Sequence, residues 1–390
     1  MQPPLRPATR RDVLRCAAFG SLGLALATTP GCATSPKPSR RFGPLQAPDA
    51  HGLQLPAGFS ARVVATSGQA VGATGHRWHA DPDGGATFAT EDGGWVYVSN
   101  AESRGNRGGV GALRFAPDGE LVDAYSILSG TNLNCAGGPT PWGTWLSCEE
   151  HPRGRVYECD PLAPGSQGEL RPALGTFQHE AAAVDPERGV LYLTEDQPDG
   201  RLYRFRPAAY PDLSDGQLEV AEIDGNAPVL LGEPRPLRWH PVGNPGFTGA
   251  TPTREQVPES TVFRGGEGCW YEAGQVWIST KHDNRVWKLD LAAGTIETVY
   301  DLAATPNAPL SGVDNVFVAP GGDVYVAEDG GDMEVVALTP AGGVEVFARV
   351  ANGVNSEVTG PALSPDGSRM YFSDQRNPGR TFEVRGPFLA

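Results

Sequence analysis

The chain has 390 residues and sets 31 Lys+Arg against 46 Asp+Glu, a formal charge of −15 at pH 7. That balance excludes a nucleic-acid surface, which needs a basic face to meet phosphates, and six cysteines in this length are too few for a disulfide framework. With 51 glycines, 36 prolines and no long apolar stretch of helical period, the composition points to short strands joined by tight turns.

Residues 9–15 read TRRDVLR, and an uncharged stretch rich in Ala, Leu and Gly runs from Cys16 to Ser35. Arg10 and Arg11 ahead of a weakly apolar segment read as a twin-arginine export signal. The alternative is a cytosolic tail. The stretch is too short and too broken by Gly, Thr and Pro for a spanning helix. Cleavage is expected between Thr29 and Thr34. Cys32 in TPGC stands where a lipid-anchored first residue would, although Thr29 and Pro30 depart from the usual pattern. The chain thus divides into a signal at 1–34, an arm at 35–58 and one domain at 59–390, destined for the periplasm or the outside of the cell without a transmembrane domain. Removing the first 34 residues leaves 27 basic and 45 acidic side chains, a formal charge of −18. Such a surface repels anionic ligands unless bound cations reverse the local field.

From residue 96 onward six short apolar stretches end in polar residues: VYVSNAE, TWLSCEE, LYLTEDQ, VWISTKH, VYVAEDG and MYFSDQR. Their aromatics, Tyr97, Trp145, Tyr192, Trp277, Tyr325 and Tyr371, are separated by 48, 47, 85, 48 and 46 residues. The double step holds a Pro-rich insertion at 206–262, read as an ordered loop draped over one face. A period of this length with strands bounded by Gly, Pro and Asp turns predicts an all-β, six-bladed β-propeller. Ring closure buries the sheet face that each unit alone would leave wet.

A second polar set precedes the aromatics: Asp83, Cys135, Glu180, Glu267, Asp314 and Glu357. If each begins an inner strand, it shares one channel mouth with the residues that end the next strand. Counted from the aromatics, those are Glu102, Glu150, Glu195 with Asp196, His282, Glu328 and Asp374. Two like charges about 4 Å apart cost about 4 kcal/mol at an effective dielectric of 20. Such a ring therefore takes up protons or cations. Taken singly, Asp83, Glu102, Glu328 and Asp374 read equally well as solvated turn residues, whereas Glu150, Glu180 and Glu267 sit among small or apolar neighbours. Oxygen-rich groups suit calcium, and the thiolate of Cys135 suits iron or another transition metal. Cys148 and Cys159 would pair if they faced each other across one hairpin, which spacing leaves open.

The segments NCAGGPTPWGTWLSCEE (134–150), HEAAAV (179–184), EDQPDGRLYRF (195–205), GGEGCW (265–270) and GQVWIST (274–280) resemble the PhoX-type alkaline phosphatases over most of the mature chain. The resemblance implies iron and calcium as cofactors and hydrolysis of phosphate monoesters. It makes Cys135 the iron-binding thiolate, and Glu150, Glu180 and Glu267 carboxylate ligands. Glu195 and Asp196 look like a calcium-holding pair, and Asp314 is a weaker transfer. Gly265 stands where the family tends to carry Arg, and Ala101 where it tends to carry His. Arg264, Lys281 and His282 are candidates to meet the phosphate dianion, the alternative for each being a solvated strand-end charge. We read the protein as a monomer acting on a small phosphoester. Two other classes remain in view: a calcium-dependent, lactonase-like hydrolase with no role for Cys135, and a non-catalytic propeller that keeps calcium and binds a ligand on the same face.

Overall fold

The structure, a computed structural model, describes residues 41–390 apart from 226–227, 306, 352–355, 377 and 389–390. The expected export signal and Cys32 lie outside the described residues. Among the described residues the helical elements are two short 3-10 turns, Pro172–Leu174 and Thr253–Glu255, and no helix is long and apolar enough to cross a membrane. The rest is sheet, and the fold is all-β and propeller-like.

Six antiparallel hairpins organise it. They pair Pro82–Ala89 with Trp95–Ala101, Asn134–Pro139 with Trp145–Glu149, and His179–Asp185 with Val190–Glu195. The other three pair Gly266–Glu272 with Gln275–Thr280, Val313–Val318 with Val324–Glu328, and Val358–Leu363 with Arg369–Asp374. The first strand of each hairpin touches the first strand of the next, and the sixth touches the first. These strands crowd so closely that a Cβ at Gly84 would collide with Ala136, one at Gly138 with Ala182, and one at Gly268 with Val316. That crowding explains the Gly- and Ala-rich sequence of the inner strands. The second strands are largely apolar before their polar ends because both faces are covered; Trp95–Ala101 and Val324–Glu328 are buried at every position.

Hydrogen bonding gathers the strands of the described residues into five sheets. Separate sheets for all six repeats are not seen, because Arg235–Pro241 pairs with Asp212–Ile223 on one side and with Thr295–Asp301 on the other. This lacing joins the third and fourth hairpins into one nine-stranded sheet. The 206–262 insertion is therefore partly strand, and its remainder runs as loop around Thr253–Glu255. Near the other end of the chain, Ser60–Thr66 pairs with Arg380–Arg385, so residues early in the chain complete the sheet of the last hairpin.

The arm that precedes this strand is anchored electrostatically. Arg41 Nη1 lies 2.5 Å from Asp323 Oδ2, and Asp323 is 1% exposed. Phe42 packs beside it on Phe347, with ring centroids 5.2 Å apart. Burial raises the Asp323 pKa, and Arg41 opposes the rise. Arg41→Ala removes that opposing cation, so the protein should lose about 1–3 kcal/mol in a urea titration, a value reduced by the partial exposure of Arg41. Adding Asp323→Asn should recover most of the loss. An additive second loss would show that the pair is not what anchors the arm.

All four described cysteines are free and buried. Cys148 stands opposite Val156 and Cys159 opposite Trp145, so the two do not face each other and the cross-hairpin pairing does not form.

Candidate metal centre

The same irregularity recurs in every hairpin and builds the channel mouth. In the first five, a β-bulge follows the first paired residue: after Pro82, Asn134, His179, Gly266 and Val313. A bulge sets two residues against one and re-aims a side chain away from the ladder. The residue released each time is the next one, Asp83, Cys135, Glu180, Glu267 or Asp314. In the sixth hairpin the bulge falls between Thr359 and Ala362. Its first residue, Gly360, has no side chain to offer, and the acid comes from Glu357, just ahead of the strand.

The second contribution comes from the first residue after each second strand: Glu102, Glu150, Asp196, Lys281, Asp329 and Gln375. Counting from the aromatics predicts His282, Glu328 and Asp374 for the last three, and the structure corrects each by one residue. The aromatic lies four residues before the strand end in the first two hairpins but three before it in the others. The displaced acids brace loops instead. Glu328 accepts hydrogen bonds from the Ser311 and Glu334 backbone N–H groups at 2.7 and 3.1 Å. Asp374 takes Ser356 Oγ at 2.8 Å and Arg380 Nη2 at 2.7 Å.

Four overlapping groups of donors result, each with its ligand atoms within 4.8 Å of one another: Cys135, Glu150 and Glu180; Glu180, Glu267 and Asp314; Asp314, Asp329 and Glu357; and Asp83, Glu102 and Glu357. Of the expected ligands, Cys135, Glu150, Glu180, Glu267 and Asp314 are thus brought together. Asp196 lies beside them, close enough that its charge raises the pKa values of Glu150 and Glu267. Glu195 is turned away: its Oε2 accepts from Tyr203 at 2.8 Å and from the Arg201 N–H at 3.2 Å, and Arg254 Nη1 is 3.6 Å from its Oε1. Among the candidate phosphate contacts, Lys281 reaches the mouth, with Nζ 3.1 Å from Glu267 Oε1 and 3.0 Å from Asp329 Oδ2. Arg264 and His282 are exposed at the rim. Gly265 has φ +67°, and a side chain there would strike the His282 ring and Asp196.

The electrostatics follow from burial. It raises Glu150 to about 8 and Asp314 to about 7; neighbouring acids add to it and Lys281 opposes it. Glu180, Glu267, Asp83 and Glu357 are pushed well above the carboxylate range by burial first, then by one another and by further acids nearby. The Cys135 thiol is raised by burial and by Asp83, Glu180 and Glu150. Burial alone would lower Lys281, but Glu267, Asp314 and Asp329 outweigh it and keep the ammonium charged. Lys281 and Arg376 are the cations that reach these groups among the described residues.

Both oxygens of Glu180 are buried without a hydrogen-bond partner. Glu267 Oε1 has only the Lys281 ion pair, which meets the distance but not the direction of a hydrogen bond, and Asp196 Oδ1 has no hydrogen-bond partner. A buried carboxylate without a partner costs several kcal/mol unless a proton or cation compensates it. Orphaned oxygens converging with one thiol form a donor set that fits hard cations alongside a softer transition metal.

Comparison with known proteins bears on this site. The sequence model of the family described as Alkaline phosphatase PhoX matches residues 84–285 and 268–379. Among solved structures, PhoX of Pseudomonas fluorescens in complex with vanadate, a transition state analogue, is 16% identical with a TM-score of 0.70, covering 86% of this chain and 96% of its own. A gluconolactonase from Xanthomonas campestris is 12% identical with a TM-score of 0.48, covering 90% of this chain and 99% of its own. No curated protein sequence matches. The family match covers the first strands of the repeats from residue 84 onward and every residue of the four donor groups except Asp83, and on that extent the chain belongs to the PhoX alkaline phosphatase family, whose members are phosphatases.

Proposed function

We propose that the protein is an exported phosphatase that hydrolyses phosphate monoesters at an iron and calcium centre in the mouth of a six-bladed propeller. The nine-stranded sheet is read as two blades laced by Arg235–Pro241, which keeps the blade number at six. The observation that carries the chemical reading is Glu180, a fully buried carboxylate with no hydrogen-bond partner, shared by the thiol-containing group and its all-carboxylate neighbour.

Cys135 would hold iron, with Glu150 and Glu180 completing that corner; Glu267, Asp314 and Asp196 would hold calcium, and Glu195 would steady the adjoining loop through Tyr203 and Arg201. When bound, such cations neutralise phosphoryl oxygens and lower the pKa of water. The chain's own part is to fix the acids and exclude water from beneath them. Lys281 ties Glu267 to Asp329, and its charge opposes the rise that burial imposes on Glu267. Below the mouth the channel narrows to a crevice lined by Gly84, Ala136, Ala181, Gly268 and Gly360, with Trp270 alongside, so substrate meets the centre from the mouth side. Arg264 and His282, exposed at the rim, are free to meet an incoming dianion.

Elemental analysis of protein folded with iron and calcium, alongside a para-nitrophenyl phosphate assay, tests this reading. Iron, calcium and turnover are expected, and full activity after chelation would end the proposal. Cys135→Ser should shed iron, keep most of the calcium and lose at least about a hundredfold in kcat. A lactonase-like, calcium-only enzyme predicts no iron in the wild type and indifference to that substitution.

A further inference from the structure

We propose that Arg376 is a phosphate-orienting side chain, a guanidinium held at the mouth by two carboxylates with its free edge toward the substrate. The inference rests on the phosphatase reading above.

Arg376 follows Gln375, whose Nε2 donates to Asp83 Oδ2 at 2.7 Å and Glu102 Oε2 at 2.9 Å. Its backbone is fixed by a bond from N–H to Ser356 Oγ at 3.0 Å. A single nitrogen, Nη2, serves two acids, Glu102 Oε2 at 3.1 Å and Glu357 Oε1 at 2.9 Å. Those acids share one donor group with Asp83, and Glu357 also belongs to the group of Asp314 and Asp329, so the guanidinium sits on one group at the point where it meets a second. The donors on Nε and Nη1 make no bond among the described residues, and the side chain is 45% exposed. Asp81 adds a third negative neighbour.

Among the described residues no other cation near the mouth combines these properties. Lys281 has its ammonium between two carboxylates. Arg380 is taken up by Asp374 and by the His51 carbonyl, and Arg254 by Asp199 and Glu195. Arg264 is exposed and has no side-chain partner to hold it. A planar guanidinium anchored by one nitrogen loses little freedom when its remaining donors meet phosphoryl oxygens. Glu102 and Glu357 therefore act as its supports while they face the centre.

The test compares wild type, Arg376→Gln and Arg376→Lys as metal-loaded enzymes, measuring iron and calcium content, calorimetric binding of inorganic phosphate, and KM and kcat with para-nitrophenyl phosphate. At matched metal content, Arg376→Gln should weaken phosphate binding and raise KM by about ten- to a hundredfold, the range for one charge-assisted donor group. Arg376→Lys should recover part of both. Unchanged phosphate affinity in both variants overturns the proposal, as does a loss of affinity that follows metal loss in proportion. If Arg376→Gln does not fold, Arg376→Lys decides: wild-type affinity in it shows that a point charge suffices and removes the orienting role. A wild-type protein that neither binds phosphate nor turns over ester overturns the phosphatase reading itself, whereas wild-type binding with unaffected variants overturns only Arg376.

Discussion

Glu180→Ala should lower phosphatase turnover by about a thousandfold or more and, at the same time, make the chelated protein more stable than chelated wild type. The two effects share one cause. Glu180 is 0% exposed, accepts no hydrogen bond, and belongs to two donor groups at once. On the proposed function Glu180 would serve both the thiol corner and the Glu267–Asp314 corner, so its loss would weaken cation binding at both. Without cations, the same carboxylate sits beside Glu267 and Glu150 and survives burial only by holding a proton. Deleting it relieves that penalty, about 1–3 kcal/mol, at the expense of a small cavity. Thermal midpoints with and without chelator, read beside metal content, check the pair of outcomes. A variant destabilised equally in both states would mean that Glu180 is an ordinary structural acid, and the metal centre would lose its main support.

The repeat was legible because each unit needs the same pattern, an apolar second strand closed by polar residues, and six copies at even spacing leave little room for another architecture. The inner-strand ligands were legible for a related reason. Glu180 and Glu267 lie among Ala and Gly, where an acid has no solvent-exposed role to play. What the spacing could not convey was register. The aromatic used as a ruler is not a fixed point of the hairpin, so the ring positions of Lys281, Asp329 and Gln375 were each assigned to a neighbour, although Lys281 was named as a candidate phosphate contact. Side chains alternate along a strand, and a one-residue error exchanges the channel for the blade edge. The bulges that release Asp83, Cys135, Glu180, Glu267 and Asp314 carry no residue signature of their own beyond the small residues that follow. Arg235–Pro241 escaped because part of its pairing is to Thr295–Asp301, far along the chain. Arg376 escaped because its meaning comes from Glu102, a residue of a different hairpin.

Chelated protein should lose stability as the pH rises from about 5 to about 8, and metal-loaded protein should lose much less. Glu150 and Asp314 have folded-state pKa values of about 8 and about 7, above the ordinary carboxylate range. Between the unfolded and folded pKa values the native state therefore holds protons that the unfolded chain has released. Stability follows the difference in bound protons, unfolded minus native, and that difference is negative here, so it falls with pH by about 1.4 kcal/mol per unit for each such proton. The favourable state is fully present below the unfolded pKa, near 4 to 4.5, and is lost as pH climbs through 7 and 8. Glu150 and Asp314 alone give a slope of about 1–3 kcal/mol per pH unit in the chelated protein, and Glu180, Glu267, Asp83 and Glu357, raised well above the carboxylate range, steepen it. Cations compete with those same protons, so loading replaces them and removes most of the slope. Glu195 and Glu328, raised to about 7 and about 8 by burial, lie outside the donor groups and should leave a residual decline in both forms. Urea midpoints at pH 5, 6, 7 and 8, with and without chelator, give the two curves. They should converge near pH 5 and separate steadily above it; parallel curves would mean that the buried acids do not exchange protons for metal, and the crowded mouth would need another source of compensating charge.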